Sequence, residues 1–126
     1  MFEDDILQGR VVEGMGFNEK VWAVCARVPA GKVTTYGAIA RELGTKAYRA
    51  VGIALNRNPY APRVPCHRVV GSDGSLTGFA YGVEKKREML EGEGVRCAGG
   101  RVDLKVFGVG MEEDRAAEPT LWALAE

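Results

Sequence analysis

The sequence predicts a mainly α domain with a small β component, organised around a helix-turn-helix. Three observations carry this. Apolar residues recur at helical spacing in Phe17, Val21, Val24, Cys25 and Val28. Two short helical segments follow, joined by a tight turn at Gly44, with basic residues on the second. The β-prone stretches are short: Lys32 to Thr35, the pair Val69-Val70, and part of 99–107. A chain of 126 residues is enough for one such domain and short for two.

Residues 1–16 are acidic and glycine-bearing and read as an arm or edge strand. Asn18 can cap the first helix, with Phe17 stapling against Trp22, and Pro29-Ala-Gly31 ends it. Lys32-Val-Thr-Thr35 is a β-prone link. Thr35 is placed to cap a second helix, Tyr36 to Leu43, which Gly44 terminates. Thr45 is placed to cap a third, Lys46 to about Arg57, which stops before Pro59. Projected as a helix, Ala47, Val51, Ala54 and Leu55 share one side, with Arg49, Gly52 and Asn56 opposite.

Residues 59–65 hold three prolines and predict a rigid, extended loop that delivers Cys66-His67-Arg68 into a buried strand at Val69-Val70. Gly71 to Gly82 is a turn-rich loop, long enough to suggest function. A fourth helix, Val83 to Glu91, carries Lys85, Lys86 and Arg87 on its surface and breaks at Gly92 and Gly94. Residues 99–107 read as a hairpin end with one strand, and the acidic tail suggests only a last helix around Leu121-Trp122. The expected division is an arm at 1–16, a domain at 17–108 and a tail at 109–126.

Several function classes are excluded on this reading. No apolar run approaches the roughly 20 residues that cross a bilayer. The start lacks the basic flank and apolar stretch of a secretion signal, so an intracellular place is expected, cytoplasmic or, in a eukaryote, nuclear. Three cysteines without a CxxC pair, and the single histidine His67, predict neither zinc nor a disulfide framework. Cys25 and Cys97 read as small buried hydrophobes.

Net charge is zero, yet it is segregated. Residues 27–70 carry eight basic side chains and one acid, a surplus of seven, and the flanks carry nine basic and sixteen acidic residues, a deficit of seven. A basic face on a neutral protein attracts phosphates, although it can also be merely solvated surface.

The informative chemistry is Val64-Pro-Cys-His-Arg-Val69. A cysteine between a proline-stiffened loop and a strand is preorganised, and basic neighbours His67, Arg68 and Arg63 favour the thiolate. Adjacent residues on a strand point apart, so His67 would act as base through a bridging water, oriented by a carboxylate beyond the fourth helix. From the residues alone, such a cysteine is more readily inert than reactive.

Pro65-Cys66-His67-Arg68-Val69, set after Asn58-Pro59, resembles the active-site signature of the O6-alkylguanine-DNA alkyltransferases. Val28-Pro-Ala-Gly-Lys-Val-Thr-Thr-Tyr-Gly-Ala-Ile-Ala40, Arg49-Ala-Val-Gly52, Leu76-Thr-Gly78 and Lys86-Arg-Glu-Met-Leu-Glu-Gly-Glu-Gly94 are similar to the same family, in one order from about Phe17 to about Phe107. The resemblance implies a winged helix-turn-helix-like catalytic domain. It would act as a monomer on double-stranded DNA carrying O6-alkylguanine, through the minor groove, without cofactor or metal.

The roles it implies are these. Arg49 enters the base stack and replaces the extruded nucleotide, because O6 is sheltered inside a duplex. Thr35, Ala47, Ala50 and Gly52 belong to the DNA-binding face, the small residues allowing close approach. Tyr36 donates to N3 of guanine, on which charge develops. Leu55, Val69, Phe79, Ala80 and Tyr81 line the base pocket. Cys66 attacks the alkyl carbon, His67 takes the thiol proton, Glu93 holds His67, and Asn58 ties the helix-turn-helix to the active-site loop.

The chain departs from the pattern in places. Family members often carry an additional N-terminal domain, whereas this sequence reads as the catalytic half plus a short arm. Tyr48 stands where a small residue is common, and Phe79-Ala80-Tyr81 puts a bulky ring in the lid, which predicts a preference for methyl over benzyl-sized groups. Two other readings are a lesion sensor resembling the alkyltransferase-like proteins, which keep the tyrosine and arginine but replace the cysteine, and a winged-helix regulator, which would need no such thiol.

Overall fold

The computed structural model describes residues 2–77 and 82–110 of the chain. The elements run α1 (Glu3–Leu7), α2 (Phe17–Cys25), β1 (Thr34–Thr35), α3 (Tyr36–Glu42), α4 (Tyr48–Asn56), a 3-10 turn (Cys66–Arg68), β2 (Val69–Val70), α5 (Val83–Gly92), β3 (Cys97–Ala98), β4 (Arg101–Val102) and α6 (Leu104–Phe107). The mainly α architecture with small sheets is as the sequence predicts. Among the described residues no helix is long and apolar enough to cross a membrane.

Helices α2, α3 and α4 enclose the main core. Val21, Val24, Cys25, Ile39, Ala40, Val51, Ala54 and Leu55 are buried there together with Cys66 and Val69. Each buried Val, Leu or Ile contributes roughly 1.5–3 kcal/mol. The Trp22 indole Nε1 donates to the Ala54 carbonyl at 2.7 Å, fastening α2 to α4. Local signals set the helix ends between α3 and α4. The Thr35 hydroxyl accepts from the Ala38 amide at 3.0 Å, and Gly44 turns the chain at a φ of 75° that side chains resist.

A second, smaller core gathers Val33, Val70, Leu76, Leu90, Val95 and Val102. Between the two cores β1 and β2 pair in parallel, Thr34 opposite Val69 and Thr35 opposite Val70. This pairing brings the end of the Pro-Cys-His-Arg segment against the start of α3. Hairpin β3–β4 packs on the 71–75 turn, where Gly74 is obligatory: a Cβ there would lie 2.2 Å from the Val102 carbonyl oxygen.

Several sequence expectations change. Residues 3–7 form a helix rather than an arm or edge strand, because Ile6, with Met15 further along, reaches the main core. Helix α2 is capped at Gly16 rather than Asn18: the Glu19 carboxylate accepts from the Gly16 amide at 2.8 Å, and Asn18 already lies within the helix. Helix α4 begins at Tyr48, because the Thr45 hydroxyl accepts from the Ala47 amide and holds that residue out of helix. Residues 59–63 are turns rather than an extended run, and Leu104–Phe107 is a helix capped by the Asp103 carboxylate rather than a strand. The tail beyond 110 lies outside the described residues.

Candidate active site

The site is built where the 3-10 turn, β2, the start of α3 and α5 meet. Asn58 fixes the approach to it. Its amide Nδ2 donates to the Val64 carbonyl at 2.8 Å, and its Oδ1 accepts from the Tyr60 amide at 2.8 Å. Cys66 then lies in a helical turn, not on a strand, so the alternation expected for Cys66 and His67 does not apply. Its side chain is nearly covered, 9% exposed.

On one side stands a network of three side chains. His67 is buried, and its Nε2 lies 2.9 Å from Oε2 of Glu93. Arg68 grips the same carboxylate in bidentate fashion, Nε to Oε1 at 2.9 Å and Nη2 to Oε2 at 2.7 Å, while Nη1 donates to the Val28 carbonyl. Burial alone would raise the Glu93 carboxyl, but the hydrogen bonds from Arg68 and His67 outweigh it and hold the group below its ordinary value. Burial lowers the His67 imidazole, with Glu93 acting against it, so the ring is neutral near pH 7. With Nε2–H facing an ionised carboxylate, the Nδ1 lone pair is the free base.

On the other side stands a lysine that sequence reading had put on the surface. Lys86 is fully buried. Its Nζ donates to the Thr77 carbonyl at 2.7 Å and to the Tyr36 hydroxyl at 3.5 Å, and lies 5.8 Å from the centre of the Tyr36 ring. The Tyr36 hydroxyl in turn donates to the Thr77 carbonyl at 3.0 Å. Burial pulls the Lys86 amine down to about 8, and it raises the Tyr36 phenol, which is therefore a protonated donor at neutral pH.

The thiol itself is protonated at rest. Burial raises Cys66 above its ordinary value, and the Asn58 amide and the Lys86 charge offset only part of that. The expectation that basic neighbours favour the thiolate is corrected here. Arg68 is committed to Glu93 and Arg63 points to solvent, so the cation that acts on the sulfur is Lys86. A sequence signal for Lys86 existed: it precedes Leu90 by one helical turn and shares its buried face.

The outer face of α4 presents Arg49 and Asn56, with Gly52 between them packed 3.8 Å (as a virtual Cβ) from the Tyr36 ring. Tyr36, Tyr48, Arg49, Gly52, Asn56 and Thr77 line an open groove of about 230 Å³.

The chain matches the family described as 6-O-methylguanine DNA methyltransferase, DNA binding domain, over residues 16–95. It belongs to this family. A methylated-DNA–protein-cysteine methyltransferase of Methanosarcina acetivorans is 51% identical over 83 residues, 65% of this chain and 53% of that protein. The Mycobacterium tuberculosis OGT in complex with DNA is 39% identical with a TM-score of 0.61, over 72% of this chain and 62% of that one. A Schizosaccharomyces pombe (S. pombe) protein, solved with damaged DNA containing O6-carboxymethylguanine, is 31% identical with a TM-score of 0.64, over 72% of this chain and 93% of its own. The chain spans about half the length of the curated methyltransferases it matches.

Within this family member the structure brings together Cys66, His67, Glu93, Tyr36 and Asn58, and sets Arg49 and Gly52 on the α4 side of the groove; Ala47 is the exposed N-cap of that helix, outside the groove lining, and Ala50 is half-buried within it. Thr35 is not on that face: it is buried, and its hydroxyl is spent on capping α3. Leu55 and Val69 are core residues behind Cys66. Phe79, Ala80 and Tyr81, and with them the expected size preference, lie outside the described residues. Cys25 is buried as expected, whereas Cys97 is only half-buried.

Proposed function

We propose that this chain repairs DNA directly, moving the alkyl group from O6 of guanine to the sulfur of Cys66. The observation that carries the reading is the Glu93–His67 hydrogen bond set beside a buried, protonated thiol: a neutral base, oriented by a carboxylate, next to a nucleophile that needs deprotonation. The unit that binds and reacts is 17–108. It works as a monomer on duplex DNA through the minor groove, wherever the cell keeps that DNA, and calls on neither cofactor nor metal.

The lesion must leave the stack before sulfur can reach it. Arg49 takes the vacated place, and Ala47, Ala50 and Gly52 keep α4 narrow enough to approach. Sulfur attacks the alkyl carbon in line. The S–C bond forms as the C–O6 bond breaks, and the bonding pair stays with guanine. The thiol proton passes through water to Nδ1 of His67, whose positive charge Glu93 balances. Tyr36, held by Thr77 and Lys86, gives a hydrogen bond or proton to N3 of the leaving guanine anion. Leu55, Val69 and the 79–81 segment wall the base. Among the described residues no group is placed to hydrolyse the thioether, so each chain reacts once. A lesion sensor would have no use for a thiol so equipped.

The test is stoichiometry. With excess duplex bearing labelled O6-methylguanine, label bound to protein should rise to one per chain and stop. Continued turnover, or no protein-bound label, would overturn the reading.

A further inference from the structure

The outer face of α4 carries more than the arginine assigned to it. Tyr48 is 53% exposed and Ile53 55% exposed. They are the two large apolar side chains that α4 leaves open to solvent. On a helical projection Tyr48 falls about 100° to one side of Arg49 and Ile53 about 40° to the other. Arg49 therefore stands between two apolar side chains. Its guanidinium lies 6.0 Å from the centre of the Tyr48 ring, within reach of a cation–π contact. Both line the open groove whose far wall is Tyr36.

The charge around this face indicates what covers it. Arg41, Lys46, Arg49, Arg57 and Arg63 are all exposed, and with Glu42 the 27–70 segment keeps its surplus of seven positive charges. An aromatic ring beside a cation, on a strongly basic face, suits a nucleic-acid stack: bases offer π faces, and phosphates meet the flanking charges. Apolar side chains that enter the minor groove act as wedges that part a base step. A tyrosine at this place is costly for close approach unless its ring is itself inserted.

We propose that Tyr48 is a second intercalating side chain, parting the base step next to the lesion while Arg49 fills the space the lesion leaves. This rests on the reading of the chain as a binder of duplex DNA that extrudes a nucleotide. Before DNA arrives, the ring holds the guanidinium at the groove mouth. In the complex it exchanges that contact for a base face.

The experiment uses the full chain and a duplex with 2-aminopurine beside O6-methylguanine, whose fluorescence rises on unstacking. The wild-type chain should raise the signal. Tyr48→Ala should lose most of that rise and bind the duplex about tenfold more weakly, in line with the loss of one base–aromatic stack. Tyr48→Phe keeps the ring and should restore both. A Tyr48→Ala signal equal to wild type, or a Tyr48→Phe variant as impaired as Tyr48→Ala, would overturn the wedge. The fluorescence reports on Tyr48 whether or not Cys66 accepts an alkyl group, so a wild-type chain that unstacks DNA without taking label overturns the repair reading alone.

Discussion

The two polar groups flanking Cys66 treat charge in different ways. On one side His67 and Arg68 converge on Glu93, where a cation and an anion meet at 2.7 Å, and burial keeps the imidazole neutral. On the other side Lys86 is fully buried, and two of its hydrogen bonds go to the neutral oxygens of Thr77 and Tyr36. The first arrangement is balanced and positions a base. The second keeps a positive charge in a place that disfavours it. A desolvated cation costs stability, and it favours negative charge appearing nearby, on the sulfur or on a leaving guanine. The Glu93 side orients the base, and the Lys86 side stabilises developing negative charge.

Removing the balanced side should have the larger effect on rate. Glu93→Gln leaves His67 without its anion and Arg68 without its main partner. Alkyl transfer to Cys66 should slow by about a hundredfold, the ordinary worth of an oriented base. Single-turnover labelling checks this, and a rate within threefold of wild type would reduce Glu93 to a structural role.

Lys86→Met should slow transfer by about tenfold while leaving the fold as stable at pH 7, or more so. The sign follows from linkage. Lys86 falls from 10.5 to about 8 on folding, so between those values the unfolded chain holds a proton that the folded chain has lost. Stability contributed by this group therefore rises from pH 8 to 10.5, by roughly 3 kcal/mol in full. Below pH 8 the whole cost of the buried charge is present. Denaturant titrations across that window should show the rise in wild type and not in Lys86→Met. A variant destabilised at every pH would contradict the account of Lys86 as a stored charge.

A smaller effect separates the two sides by pH. The folded-state His67 value lies below 6.5, so as pH falls from 6.5 through that lower value the unfolded chain takes the proton first. Stability and transfer rate should both decline over this acid range, by severalfold in rate. Lys86→Met should keep the acid limb and Glu93→Gln should shift it. An acid limb unmoved by Glu93→Gln would sever the base from its carboxylate.

Legibility in the sequence followed the range of the interactions. Thr35 as a cap, Gly44 as a stop and the buried Val69-Val70 pair are local or periodic and stand as read, and of the predicted α4 face Val51, Ala54 and Leu55 are buried while Ala47, at the N-cap, is exposed. The Cys66–His67–Glu93–Tyr36–Asn58 set was legible only through family resemblance, because spacing alone cannot bring residues 36, 66 and 93 together. The double grip of Arg68 on Glu93 and the burial of Lys86 were missed. A charged side chain reads as surface until packing supplies partners, and those partners come from segments distant in the chain. Helix α6 was missed for a related reason: four residues give too little periodicity, and the Asp103 cap decides.

The central claim is that the sulfur of Cys66 receives the carbon. Peptide mass mapping after reaction with a duplex holding one O6-methylguanine tests it most directly. The account predicts a single methyl group on the peptide containing Cys66, none on those containing Cys25 or Cys97, and none anywhere in Cys66→Ala. A methyl group found on another residue, or guanine restored in the DNA with Cys66 unmodified, would contradict it.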